Sequence, residues 1–121
     1  MQKQVSDIDR LSDIETFSNL IIEKVNGLTE EDFYKNETIQ WAFIKWLENI
    51  GEAAYQLSEE TILEFDQIDW RSIINARHFY VHHYHEIQWS TVWKTITTVD
   101  FVRIRLRVKE IKEILKARYS V

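Results

Sequence analysis

Not one of the 121 residues is proline, and only two are glycine. Proline breaks helix interiors and punctuates turns, while glycine serves the tight hairpins of β structure. A chain lacking both has few devices for close turns but can run long helices without interruption, so the expected fold class is all-α. The length suits one compact domain, residues 1–121, with a single core. Hydrophobic residues at 45% and charged residues at 29% exclude a disordered or low-complexity chain.

The absence of cysteine removes a disulfide framework, a thiolate nucleophile and a cysteine-based zinc site. No apolar run approaches the roughly 20 residues that span a bilayer, and the stretch from Met1 to Asp7 lacks the apolar segment of a signal peptide. A soluble, cytoplasmic protein is expected. The net charge of −5 conceals an asymmetry. Residues 101–121 carry 7 Lys+Arg and 2 Asp+Glu, or +5, which leaves −10 for residues 1–100. A basic segment on an acidic body can meet a polyanion or an acidic partner. It can equally be a solvated helix face whose charge suits a helix C-terminus.

Periodicity predicts four helices. Leu11, Ile14, Phe17, Ile21, Val25 and Leu28 recur at spacings of three and four, an apolar stripe that should stop near Asn26-Gly27. Ile39, Phe43, Trp46, Ile50, Ala53 and Leu57 form a second seam, with Gly51 and Ala53-Ala54 small enough to admit another helix closely. This helix is expected to fray from Ser58 onward. Asp69 is the expected N-cap of a third helix, with Ile68 and Ile73 at the positions of a hydrophobic staple, running to about His83. A fourth starts near Trp89 or Ser90 and continues through Phe101, Ile104, Val108, Ile111 and Leu115. Val99, Val102 and Leu106 flank that seam and supply apolar surface suited to a dimer interface. The expected architecture is a homodimeric four-helix up-and-down bundle.

All four histidines fall between Arg77 and His85, in the order Arg77-His78-Phe79-Tyr80-Val81-His82-His83-Tyr84-His85. Three chemistries suit such a window. On an unbroken helix His78, His82 and His85 would share a face and could hold a transition metal. Arg and His near a helix C-terminus also serve a purely structural role by satisfying free carbonyls. The third is metal-independent cleavage of RNA. That reaction needs a base for the 2′-OH, an acid for the leaving oxygen and a fixed cation for the charge developing on phosphorus. Arg77 can grip phosphate bidentately. It lies seven residues from Tyr84, about 20° short of two full turns, and five from His82, roughly 140° around the helix. Arg77 and His82 therefore converge only if the helix unwinds or a second subunit contributes.

Those residues carry a resemblance. Arg77-His78-Phe79-Tyr80-Val81-His82 is similar to the signature of the HEPN superfamily, an Arg followed after four to six residues by a His. The extension His82-His83-Tyr84 resembles the HepT-like ribonuclease toxins within it. Asp69-Trp70-Arg71 before the motif, Val92-Trp93 after it and Ile50-Gly51-Glu52-Ala53-Ala54 agree, so the resemblance runs from about Leu11 to Leu115. It implies a helical homodimer acting as a metal-independent endoribonuclease, with no cofactor. Such a protein is the toxin of a two-gene module whose partner is a minimal nucleotidyltransferase (MNT) antitoxin. By position, Arg77 and His82 would be catalytic, and Tyr84 the tyrosine to which the antitoxin transfers AMP. His83 stands where the family often has Gly, and His78 where it often has Asn. The division of acid and base among His78, His82, His83 and His85 is therefore left open.

A second expectation comes from a different class: a non-catalytic substrate-binding or regulatory subunit of a nucleotidyltransferase, docked through Arg105, Lys109, Lys112 and Lys116. Glu52 is placed to pair with Arg77 or to stay solvated. Most of the aromatic rings follow the core stripes, which leaves Trp41, Tyr80 and Trp89 as the ones to locate for an RNA-binding or dimer role.

Overall fold

The computed structural model describes residues 2–121 and contains, among them, helices and no strand. In chain order the helices are α1 (Gln2–Val25), α2 (Glu30–Lys35), α3 (Glu37–Tyr55), α4 (Glu59–Glu64), α5 (Trp70–His82), α6 (Trp89–Thr98) and α7 (Phe101–Tyr119). A single 3-10 turn, Tyr84–Glu86, follows α5.

The four long helices supply the bundle. α1 runs antiparallel to α7: Gln4 meets Arg118, Glu15 meets Lys112 and Asn19 meets Arg105. α3 and α5 are also antiparallel, with Glu52 bonded to Arg77 and Trp41 and Lys45 opposite Tyr84. α1 packs on α7 and α3, and α3 on α5, giving the row α7–α1–α3–α5. The core between them comprises Leu11, Ile14 and Ile21 of α1, Phe43, Ile44 and Ile50 of α3, and Val108, Ile111 and Leu115 of α7, all buried. The α5 and α7 backbones barely approach one another, and an apolar groove of about 370 Å³ opens between them. Ile50, Ile73, Ala76, Tyr80, Phe101 and Ile104 line it.

Start and stop chemistry follows the sequence at several ends. The Asp69 carboxylate accepts from the Ser72 N–H and hydroxyl, which also holds its pKa below the usual carboxylate range. Gly27 takes the left-handed conformation (φ +81°) after α1, as the Asn-Gly pair predicts.

Two expectations change. Ser58 does not begin a fraying end; it is the N-cap of a separate helix, α4, accepting from the Thr61 N–H. This cap is itself held from below. Asp7 of α1, 2% exposed, accepts from the Ser58 N–H and hydroxyl and from the Thr61 hydroxyl. The continuous fourth helix is also interrupted. Val99 turns to extended backbone, and Asp100 caps α7 by accepting from the Arg103 N–H. The break turns Phe101 into the core and leaves Val99, Val102 and Leu106 exposed.

Candidate active site

Positioning begins where α5 crosses α3 at Gly51. A methyl group on Gly51 would lie 2.3 Å from Arg77 Cβ and 2.9 Å from the Ile73 carbonyl oxygen. No residue with a side chain fits there without moving α5, so the glycine sets the height at which Arg77 leaves the helix. One residue on, Glu52 takes the Arg77 side chain: Nε donates to Glu52 Oε2 at 2.8 Å. The guanidinium carbon sits 5.3 Å from the centre of the Tyr55 ring, within cation–π range. Arg77 is thus fixed by α3 from three successive points, and its side chain stays largely covered.

Arg77 Nη1 lies 3.0 Å from His78 Nδ1. A guanidinium only donates, so this contact requires His78 Nδ1 to accept, which places the proton of the neutral ring on Nε2. The His78 ring stands edge-on to Tyr55 at 5.1 Å, and 6.3 Å from the ring of His82. His82 is the last residue of α5 and is exposed. The row Glu52–Arg77–His78–His82 therefore runs from half-buried Glu52 through the largely covered Arg77 to exposed His82.

The helix is unbroken through His82, so the turn of roughly 140° between Arg77 and His82 persists. Beyond it the remaining motif residues diverge. His83 caps the end of α5, stacks on Phe79 at 5.6 Å and lies 3.8 Å from Glu86. Tyr84 and His85 sit on the 3-10 turn with rings 4.0 Å apart, and Tyr84 is 51% exposed. Because α5 ends at His82, His85 does not continue the face of His78 and His82. Among the described residues no three His, Asp or Glu side chains form a group that could hold a metal.

Tyr84 faces a shallow hollow between α3 and α5, lined by Trp41, Ile44, Lys45, Glu48, Tyr80 and Val81. Tyr80 is buried, which raises its hydroxyl pKa. Trp41 is 41% exposed, and the partly buried Trp89 stands against it at 5.1 Å and nearly perpendicular. Tyr55 was not anticipated from the sequence. Its signal was the spacing Glu52–Tyr55 on one helix, three residues apart and so on the same face.

The basic residues of α7 are largely consumed within the fold. Arg105 donates to Asn19, Lys112 pairs with Glu15, and Arg118 pairs with Glu64 through two bonds. Of the four expected to dock a partner, Lys109 is exposed and Lys116 lies 3.8 Å from Glu113. No helix of the described residues is long and apolar enough to cross a membrane.

The fold is an all-helical domain that clamps a guanidinium beside two histidines of one helix, with an exposed tyrosine on the turn that follows. The family model for "Ribonuclease HepT-like" proteins matches residues 3–115, and the chain belongs to that family. "Putative RNase MJ0127" of Methanocaldococcus jannaschii is 33% identical over 96 residues, covering 79% of this chain and 76% of that protein. "Putative RNase TTE0752" of Caldanaerobacter subterraneus is 33% identical over 91 residues, 75% and 80% of the two chains. "Probable ribonuclease HepT" of Thermococcus cleftensis is 32% identical over 88 residues, 73% and 80%. No solved structure matches the chain.

Proposed function

We propose that this chain is a metal-independent endoribonuclease, the toxin of a toxin–antitoxin pair, in which Arg77 and His82 are catalytic. The observation that carries this reading is the anchored row Glu52–Arg77–His78–His82. Catalysis by such a site depends on a cation already fixed where charge develops, and Arg77 is fixed before any substrate arrives.

His82 moves protons. One imidazole takes the proton from a ribose 2′-OH, and the 2′ oxygen attacks the adjacent phosphorus. The bond to the 5′ oxygen breaks, and a protonated imidazole gives that oxygen its proton. The products are a 2′,3′-cyclic phosphate and a 5′-hydroxyl. Arg77 stabilises the charge on the phosphoryl oxygens as they become more negative. His78 takes neither proton role through Nδ1, since Arg77 occupies that lone pair. It serves instead as a donor at Nε2, while His83 and His85 flank the exit.

Within one copy Arg77 reaches His82 only through His78, and a direct pairing of the two draws His82 from a second copy. The apolar groove between α5 and α7, with exposed Val99 at its edge, supports a homodimer through this side of the bundle. We place the protein in the cytoplasm, where its RNA substrate is found.

Tyr84 is the proposed switch. Its exposed hydroxyl suits transfer of AMP by a nucleotidyltransferase antitoxin, and the added phosphate would place negative charge beside the substrate path and repel RNA. Of the four α7 cations the regulatory-subunit alternative needs, Arg105 and Lys112 are bonded to α1, which leaves that reading Lys109 and Lys116.

An intact-mass spectrum of the protein produced with and without the nucleotidyltransferase, followed by RNA cleavage with both samples, tests this reading. The expected result is one or more AMP units on Tyr84 and cleavage only by the unmodified sample. Equal cleavage by modified and unmodified protein would refute the switch, and no cleavage by either would refute the ribonuclease.

A further inference from the structure

The hollow beside Tyr84 is not used by the chemistry above. Along α3, Trp41, Lys45, Glu48, Glu52 and Tyr55 follow one another at spacings of four and three, so they share a stripe. The lower half of the stripe, Glu52 and Tyr55, holds Arg77. The upper half, Trp41 and Lys45, lines a hollow of about 330 Å³ with Tyr84 and Val81 on the α5 side. Lys45 and Glu52 are seven residues apart on an unbroken helix, about 10 Å.

Two features of the upper half face solvent. Trp41 is 41% exposed at the head of this stripe, and Trp89 braces its indole at 89°. Trp89 is itself packed against buried Phe33, so the exposed ring is held rigidly from behind. The Lys45 ammonium lies 3.8 Å from Glu48, too far for a close hydrogen bond, and most of the side chain is in solvent. A rigid exposed aromatic ring next to an available cation is how single-stranded nucleic acid is gripped without reading its sequence.

We propose that Trp41, Lys45 and Tyr84 form a subsite for an unpaired nucleotide flanking the RNA phosphate held by Arg77. The base stacks on Trp41 and the adjoining phosphate meets Lys45. This rests on the ribonuclease reading. It adds that the substrate is single-stranded on this side of the cut, because a paired base cannot turn onto the ring. It also gives a reason why a group attached to Tyr84 would exclude substrate: Tyr84 lines the hollow the nucleotide fills.

The test uses the full chain, a short unstructured RNA for cleavage and its fully 2′-O-methylated counterpart, which binds but cannot be cut. Trp41→Ala is expected to raise both KM and the Kd for the methylated probe about tenfold, within the range of one base–aromatic stack, with kcat within about twofold. Trp41→Phe should recover most of the loss. Lys45→Ala should reduce the slope of log Kd against log salt by about the contribution of one phosphate contact. If the parent cuts RNA while Trp41→Ala keeps the parental KM and Kd, the subsite is wrong and the ribonuclease stands. If the parent neither cuts RNA nor binds the probe, both are wrong. If Trp41→Ala and Trp41→Phe both dissociate the dimer in sedimentation without a direct effect on probe binding, the face belongs to a protein contact and the subsite is overturned.

Discussion

Gly51 and Glu52 act on the same arginine by different means, one by having no side chain and the other by the charge it carries. A methyl at position 51 would meet Arg77 Cβ and the Ile73 carbonyl, neither of which is the free end of a flexible side chain. Gly51→Ala gains roughly 1 kcal/mol of helix propensity but overpacks the crossing at about 1–3 kcal/mol. At 2.3 Å the upper end applies, so urea denaturation should show a net loss of stability. Glu52→Ala leaves the crossing intact and frees Arg77. Its kcat/KM for RNA should fall about a hundredfold, the penalty for losing placement at a reacting centre, with little change in thermal midpoint. Glu52→Gln, which can still accept from Nε, should fall less. A Glu52→Ala protein as active as the parent would show that the clamp does not serve the reaction. The sequence offered Arg77, His82 and Tyr84 through their spacing and Glu52 as one of two outcomes. It could not show that His78 accepts from Arg77, because that contact depends on the side-chain path of Arg77, which Gly51, Glu52 and Tyr55 dictate from another helix.

Helix ends divided into legible and hidden ones for one reason. Asp69 was legible because a polar stretch precedes it, whereas Asp100 lies inside a run whose apolar residues keep spacings of three and four across it. Its cap chemistry is the same, and the periodicity masked it. Ser58 was hidden because its partner Asp7 is 51 residues away. That partnership predicts a large effect at a residue remote from the site. Asp7→Ala would remove the acceptor of the Ser58 N–H and of the Ser58 and Thr61 hydroxyls and cost about 1–3 kcal/mol, measurable by chemical denaturation, without altering kcat. The opposite end of α4 is held by Glu64, which Arg118 and then Gln4 bind, lowering its pKa to about 2 from 4.5. Tyr119 donates to the same Gln4, so the two chain ends meet there. Because the folded pKa is the lower one, the Glu64 contribution is fully present above about pH 4.5 and disappears as pH falls toward about 2. Glu64→Gln should therefore destabilise the protein modestly at pH 7 and not at all near pH 2, the pair being partly solvent-exposed.

For the molecule as a whole, the contrast between an acidic body and a basic end is largely an internal arrangement. α7 lies antiparallel on α1 and places Arg105, Lys112 and Arg118 against Asn19, Glu15 and Glu64. The all-α class and the four long helices were legible because proline is absent and the apolar stripes are long. The row order that leaves α5 and α7 apart was not, since no single stripe records which helix its neighbour avoids. Within one copy His78 separates Arg77 from His82. Mixing inactive Arg77→Ala with inactive His82→Ala protein should restore RNA cleavage if the site is shared between copies, and a mixture as inactive as its components would mean each copy works alone. The most direct measurement is the rate of RNA cleavage by the parent and by His82→Ala, both in excess EDTA. The account predicts cleavage by the parent undiminished by EDTA and none above background by a folded His82→Ala protein. Cleavage by His82→Ala at the parental rate, or loss of parental activity in EDTA, would contradict it.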